Sequence, residues 1–378
     1  MPGFVVHGEM LRWWRVITLA TLLVLASSAA WAADAAGTWS LVPAGAGRWW
    51  LTLESPKGTS KRPTSQPVTS EQLRPRTDEQ SGIDDGFRLR RDAGSIVAWR
   101  DSGVAESRGR FELLLAPGYA DTLAARGVGR PSTPEQVQLA LLDGSYATLD
   151  ALRDHGPGVP RLEMFVRLLE HRVDAAWLTE MAALGYPMAS FEACLKARER
   201  GVDPVVVRAL ASAGYPRLTS AQILKACGLG VDSSYVAQLR QRGFKDVPIE
   251  QVLKAREHGV DAEFMRRLDA QGVRVPTLPQ WIELRDQGVD GPFVSGIRAA
   301  GYSWAPVRDL IDARTHGVDG PYLAALQQAG YFNVPIRDAI RARDRGVDAG
   351  FAARARVKLG RQPSLDELIR LRDSGGIE

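Results

Sequence analysis

Six arginines recur in register: Arg198, Arg256, Arg285, Arg314, Arg343 and Arg372 lie 29 residues apart, or twice that where Cys227 takes the place. Guanidinium groups at a fixed interval form a ladder able to grip carboxylates through paired N–H donors. Each arginine before the last also stands five residues ahead of an aspartate, so pairing with that aspartate, in the last turn of a helix, is the competing reading. Three histidines, His171, His258 and His316, share a second column. Two and three repeats separate them, too far to share a metal on helices packed about 8–10 Å apart. With no H-E-x-x-H and no cysteine or carboxylate at ligand spacing, they read as solvated turn residues. Cys194 and Cys227 are 33 residues apart. That offset places them on neighbouring helices one turn out of step, and they read as two small buried residues rather than a disulfide.

Other chemistry leaves no trace. There is no S-x-x-K, C-x-x-C or G-x-S-x-G, and Gly127-Val128-Gly129 lacks the third glycine and the preceding strand of a dinucleotide fingerprint. The sequence reads as non-enzymatic, with no metal and no cofactor.

The elements that must position these side chains are set by a repeat. Gly-Val-Asp at 201–203 returns at Gly259, Gly288, Gly317 and Gly346, and Gly127, Gly156, Gly185, Gly214, Gly243, Gly272, Gly301 and Gly330 form an unbroken series at 29 spacing. Such self-similarity marks a solenoid of supersecondary units. Each unit reads as a helical hairpin. Asp174, Asp203, Asp232, Asp261, Asp290, Asp319 and Asp348 stand where the first helix needs an N-cap, and the glycine series falls at C′ positions, where a positive φ is cheap without a Cβ. A bulky column (Trp177, Val206, Tyr235, Phe264, Phe293, Tyr322, Phe351) with an apolar column four residues later makes the buried stripe of the first helix. Leu195, Leu224, Leu253, Ile282, Ile311, Ile340 and Ile369, beside a mostly alanine column, do the same for the second. Trp281 and Trp304 break their surroundings and read as exposed contacts.

Residues 33–115 have another texture. Gly37–Leu41, Arg48–Glu54, Phe87–Arg91, Ser95–Arg100 and Arg110–Leu115 alternate with period two and predict a small antiparallel sheet. Asp92-Ala93-Gly94 and Asp101-Ser102-Gly103 supply hairpin turns. Residues 55–85, rich in Pro, Ser and Thr, read as a long loop. Before the sheet, Arg12 and Arg15, an apolar run from Val16 to Ala30, and Ala30-Trp31-Ala32 read as a secretory signal over residues 1–32 with cleavage near Ala32. No later stretch is apolar for long enough to span a bilayer. The net charge of +4 on 378 residues is mild, and its mixed signs exclude the one-signed stripe of a nucleic-acid binder.

The expected fold is therefore mostly α: an α-solenoid over residues 116–378, about eight and a half units of 29 residues, preceded by a small antiparallel β domain that covers its first repeat. The unit Gly-Val-Asp, aromatic, Leu, Gly-Tyr, Pro-Ile, Leu-Ile, Arg-Asp, Gly resembles a repeat of exported bacterial proteins, similar to the carboxy-terminal repeats associated with membrane zinc metallopeptidases of the beta-lactam-sensor type. Gly86-Phe87-Arg88-Leu89-Arg90-Arg91-Asp92-Ala93-Gly94 followed by Arg110-Phe111-Glu112-Leu113 looks like the strand-rich module before such repeats. The resemblance implies an accessory role at the cell envelope; the peptidase part is absent, so no protease residue carries over. The functional expectation is a periplasmic or secreted scaffold that binds a protein or peptide, with Arg198, Arg256, Arg285, Arg314, Arg343, Trp281 and Trp304 as contacts. Two alternatives stand beside it: a peptidoglycan or glycan binder using exposed aromatics, and a cryptic enzyme where sheet meets solenoid.

Overall fold

The computed structural model describes residues 36–45, 47–54, 64–77, 84–100, 107–303 and 305–376. The signal segment, the Asp101-Ser102-Gly103 turn and Trp304 lie outside them. The chain divides into two compact units, residues 1–199 and 200–378.

The first unit opens with seven strands: β1 (Ala36–Gly45), β2 (Arg48–Glu54), β3 (Thr64–Thr69), β4 (Arg74–Thr77), β5 (Asp84–Arg91), β6 (Gly94–Arg100) and β7 (Arg108–Leu115). They form one antiparallel sheet in the order β3-β2-β1-β7-β6-β5-β4. The expected loop over residues 55–85 is corrected here, because it contributes both β3 and β4. These two strands are the sheet's edges, where Pro67 and Pro75 cost no ladder bond. Proline-rich composition disguised them. Alternation along the inner strands builds the core of Leu51, Leu53, Ile96, Phe111 and Leu113, all at most 4% exposed, and the rings of Trp39 and Phe87 meet edge to face at 5.0 Å.

Helices follow in pairs. In the first unit they are α1 (Tyr119–Ala125), α2 (Thr133–Leu141), α3 (Tyr146–His155), α4 (Leu162–Glu170), α5 (Ala175–Ala183) and α6 (Phe191–Glu199). Helix α2 packs on β6 and β7, so the sheet covers the first hairpin as expected. Polar contacts fasten the two. Gln136 donates to the Ala93 and Ala116 carbonyls at 3.1 and 2.9 Å, and Asp92 accepts the Tyr146 N–H at 2.7 Å. The buried Arg91 reaches the Ala140 and Leu141 carbonyls at the C-terminal end of α2, at 2.5 and 2.8 Å. Arg172 occupies a column held by glycine in later repeats, keeps φ at 59°, and stacks over Trp50 at 4.8 Å.

The second unit holds α7 (Pro204–Ser212), α8 (Ser220–Leu229), α9 (Ser233–Gln241), α10 (Ile249–Glu257), α11 (Ala262–Ala270), α12 (Leu278–Asp286), α13 (Gly291–Ala299), α14 (Val307–Thr315), α15 (Gly320–Gln328), α16 (Ile336–Asp344), α17 (Ala349–Leu359) and α18 (Leu365–Asp373). Odd-numbered helices stack on one another from α7 to α17, and α8 on α10 on α12, and α14 on α16 on α18, form the other row. The described residues thus contain eighteen helices, nine consecutive pairs where the period alone gave eight and a half.

Every cap aspartate from Asp174 to Asp348 accepts a backbone N–H of the first turn, at 2.7–2.9 Å. Asp290→Ala, which frees the Phe293 N–H, is expected to cost about 1 kcal/mol in chemical denaturation. The glycine series ends first helices in Schellman geometry: the Gly214 N–H bonds the Ala211 carbonyl and the Tyr215 N–H the Leu210 carbonyl, at 3.1 and 3.0 Å. Gly156 departs from the expectation with φ at −133°; here Gly158, at 102°, makes the left-handed turn. Helices α13 and α15 approach each other closely: a Cβ on Gly320 would lie 2.5 Å from the Gly296 backbone.

The valine of Gly-Val-Asp is the most deeply buried column: Val173, Val260, Val289, Val318 and Val347 are 0% exposed. Its carbonyl is used as well. Tyr235 and Tyr322 donate their hydroxyls to Val260 and Val347 at 2.7 and 2.9 Å, each within its own repeat. Burial pushes both phenols up to about 12, against an ordinary value of about 10. A raised value keeps the folded form protonated while the unfolded chain ionises, so this stabilisation is complete below pH ~10 and is lost as pH rises toward ~12. Melting temperature should fall across that window, and fall less in a Tyr235→Phe/Tyr322→Phe variant.

Candidate interaction surface

The arginine column is built on the aromatic one. Arg198 lies over the Trp177 ring at 5.4 Å from guanidinium carbon to centroid, Arg256 over Tyr235 at 5.2, Arg285 over Phe264 at 4.9, Arg314 over Phe293 at 5.1, Arg343 over Tyr322 at 4.8 and Arg372 over Phe351 at 5.0. The arginine of the second helix thus roofs the core residue of the first. From Asp174 onward one repeat lacks the arginine, and that repeat also lacks the ring: Cys227 goes with Val206.

Each arginine also reaches back one repeat. Nε of Arg198 donates to the His171 carbonyl and Nε of Arg256 to the Leu229 carbonyl, both at 3.2 Å. These carbonyls end the preceding second helix, where a cation is favoured by the dipole. A Cβ at Gly259 would stand 3.3 Å from Nε of Arg285, so glycine serves both its φ of 72° and the passage of the arginine. The expected pairing of Arg256, Arg285, Arg314 and Arg343 with the aspartate five residues on does not form, since that aspartate is turned onto its own helix. Arg285, Arg314, Arg343 and Arg372 remain exposed and Arg256 half-buried.

The histidines stand at solvent-accessible helix ends, and each also faces a carboxylate. His258 and His316 place Nδ1 at 2.8 Å from Asp286 and Asp344, and His171 places Nε2 at 3.2 Å from Glu199, each carboxylate belonging to the next second helix. Arg345 repeats the rung on Asp373 at 2.7 Å. The carboxylate lies 28 residues ahead of its partner, a spacing that emerges only when successive repeats are laid side by side. Among the described residues, no three His, Cys, Asp or Glu side chains gather as metal ligands.

Trp281 is not an exposed contact. It is 3% exposed and meets Phe264 edge to face at 6.1 Å. Stepping by the repeat from Trp281 leads to Ile223, Val252, Leu310, Ala339 and Leu368, all at most 2% exposed, so the column is core and the tryptophan is its largest member. Its Nε1 is buried without a hydrogen-bond partner. Cys194 and Cys227 are free thiols, and burial pushes Cys194 up to about 12. Where sheet meets first hairpin, Asp92 is held by a backbone N–H, Asp143 lies 3.8 Å from Arg91, and the buried Tyr119 hydroxyl donates to the Gly144 carbonyl at 2.5 Å. These three groups serve fastening contacts.

Comparisons with protein-family models, with curated proteins and with solved structures return no match to this chain. None of the described helices is long and apolar enough to cross a membrane.

Proposed function

We propose that this chain is a non-catalytic binding scaffold of the cell envelope whose partner, a protein or peptide, is held along the exposed surface of the repeats. One observation carries the reading: the recurring apolar and capping columns are consumed in building the stack, while exposed columns between them change chemistry from one repeat to the next. Arg208, Ala237, Arg266 and Ser295 occupy one exposed column; Val205, Ser234, Glu263, Pro292 and Pro321 occupy another. Constant interior with variable exterior is how a quasi-one-dimensional array presents an extended recognition surface.

The envelope location rests on the Arg12, Arg15, Val16–Ala30 and Ala30-Trp31-Ala32 pattern, and an accessory role beside an envelope sensor or protease rests on the repeat's resemblance alone. A glycan-binding alternative loses Trp281 as a stacking surface. Photocrosslinking in living cells tests the scaffold reading, with the reactive residue placed in turn at Arg266, Ser295 and Ala324. Capture of one envelope protein from all three sites supports it; capture of glycan fragments in its place contradicts it.

A further inference from the structure

The carboxylates that could neutralise the arginine column are engaged elsewhere. In the second unit Arg256, Arg285, Arg314, Arg343 and Arg372 form no ion pair among the described residues. The acids next to them on the second helices are matched from the preceding repeat: Glu257 by Lys225, Asp286 by His258, Asp344 by His316 and Asp373 by Arg345. The cap aspartates face backbone N–H groups. What remains is a row of five guanidinium groups, each over a ring at 4.8–5.2 Å. Stacking limits the freedom lost when a planar N–H fork meets a carboxylate.

The spacing of the row selects the conformation it fits. Packed helices in one row stand about 8–10 Å apart, and the arginines recur once per helix. An extended strand rises about 3.3 Å per residue and turns alternate side chains to opposite faces, so its same-face residues recur at about 6.6 or 13 Å and miss the row. Polyproline II has three residues per turn and rises about 3.1 Å per residue, which returns a side chain to the same edge every 9 Å or so. We infer that the arginine row binds an acidic polypeptide segment in polyproline II conformation, with Asp or Glu at every third position. The inference rests on the scaffold reading and adds the class of segment and its register. Proline-rich acidic segments without a core of their own populate this conformation before binding, which lowers the ordering cost.

The test compares two fluorescent peptides of identical composition on the full chain at low salt, one with glutamate at every third residue among prolines and alanines, one with glutamate at every second. Anisotropy should give about tenfold tighter binding to the first, as expected when several exposed ion pairs each contribute modestly, and raising salt should erase the difference. Replacing its glutamates by glutamine should abolish binding. An Arg285→Lys/Arg314→Lys/Arg343→Lys chain keeps the charge but loses the planar fork, and should lose the preference between isomers while keeping its melting transition. Equal affinity for the two isomers on the unaltered chain overturns the inference. Cellular crosslinks to one envelope protein that avoid the arginine edge would also overturn it, and would leave the scaffold reading standing.

Discussion

Phe293→Ala should lower stability by about 3–5 kcal/mol, the range for truncating a buried aromatic side chain. Phe293 is 7% exposed, fills the space between first and second helix of its repeat, and carries Arg314 on its outer face. Removing the ring therefore opens a cavity and takes away the platform of an arginine. Repeats in a stack depend on their neighbours, so the loss should appear in the main denaturation transition. Arg314→Met, which keeps an apolar cover on the ring, should cost less. A denaturation midpoint unchanged by Phe293→Ala would contradict the core assignment of the whole aromatic column.

The second large effect is expected at the junction of sheet and first hairpin. Arg91→Met retains much of the side-chain volume and deletes the donors that satisfy the Ala140 and Leu141 carbonyls. Both residues are buried. The Leu141 carbonyl keeps the Gln66 side-chain N–H at 3.4 Å, so the Ala140 carbonyl is the buried acceptor that loses its donor, at a cost of about 1–3 kcal/mol. Burial lowers the Arg91 guanidinium from its ordinary value and Asp143 raises it in part, so the charge is held at a cost that Asp143 and these contacts offset. The chain places Arg91 on the end of α2 as later arginines are placed on the ends of preceding second helices. Hydrogen exchange should report the loss as faster exchange in β6, β7 and α2; unchanged protection there would show that the sheet does not depend on this anchor.

Legibility in the sequence followed the repeat. Capping aspartates, chain-reversing glycines and the aromatic stripe were readable because one physical cause recurs at 29-residue intervals, and backbone geometry dictates each. Trp281 stands out from its column in size alone; the Ile223, Val252 and Leu310 counterparts mark it as core. The histidine rungs are not visible within one repeat, because His258 and Asp286 come into register only across two. Edge strands β3 and β4 were hidden by Pro67 and Pro75, which oppose a strand reading in the middle of a sheet and are tolerated at its edges. The arginine column was legible as a charged ladder, but its footing on the aromatic rings depends on how the two helices of a hairpin face each other, which spacing along one helix does not state.

The central claim is that the repeats hold a protein partner along their length, and site-by-site photocrosslinking in cells addresses it most directly. With the reactive residue at one exposed position in each of at least four consecutive repeats, the account predicts that a single envelope protein is captured throughout, with crosslinked partner residues advancing in sequence as the position advances along the stack. Capture confined to one repeat, or capture of peptidoglycan fragments without protein, would contradict it.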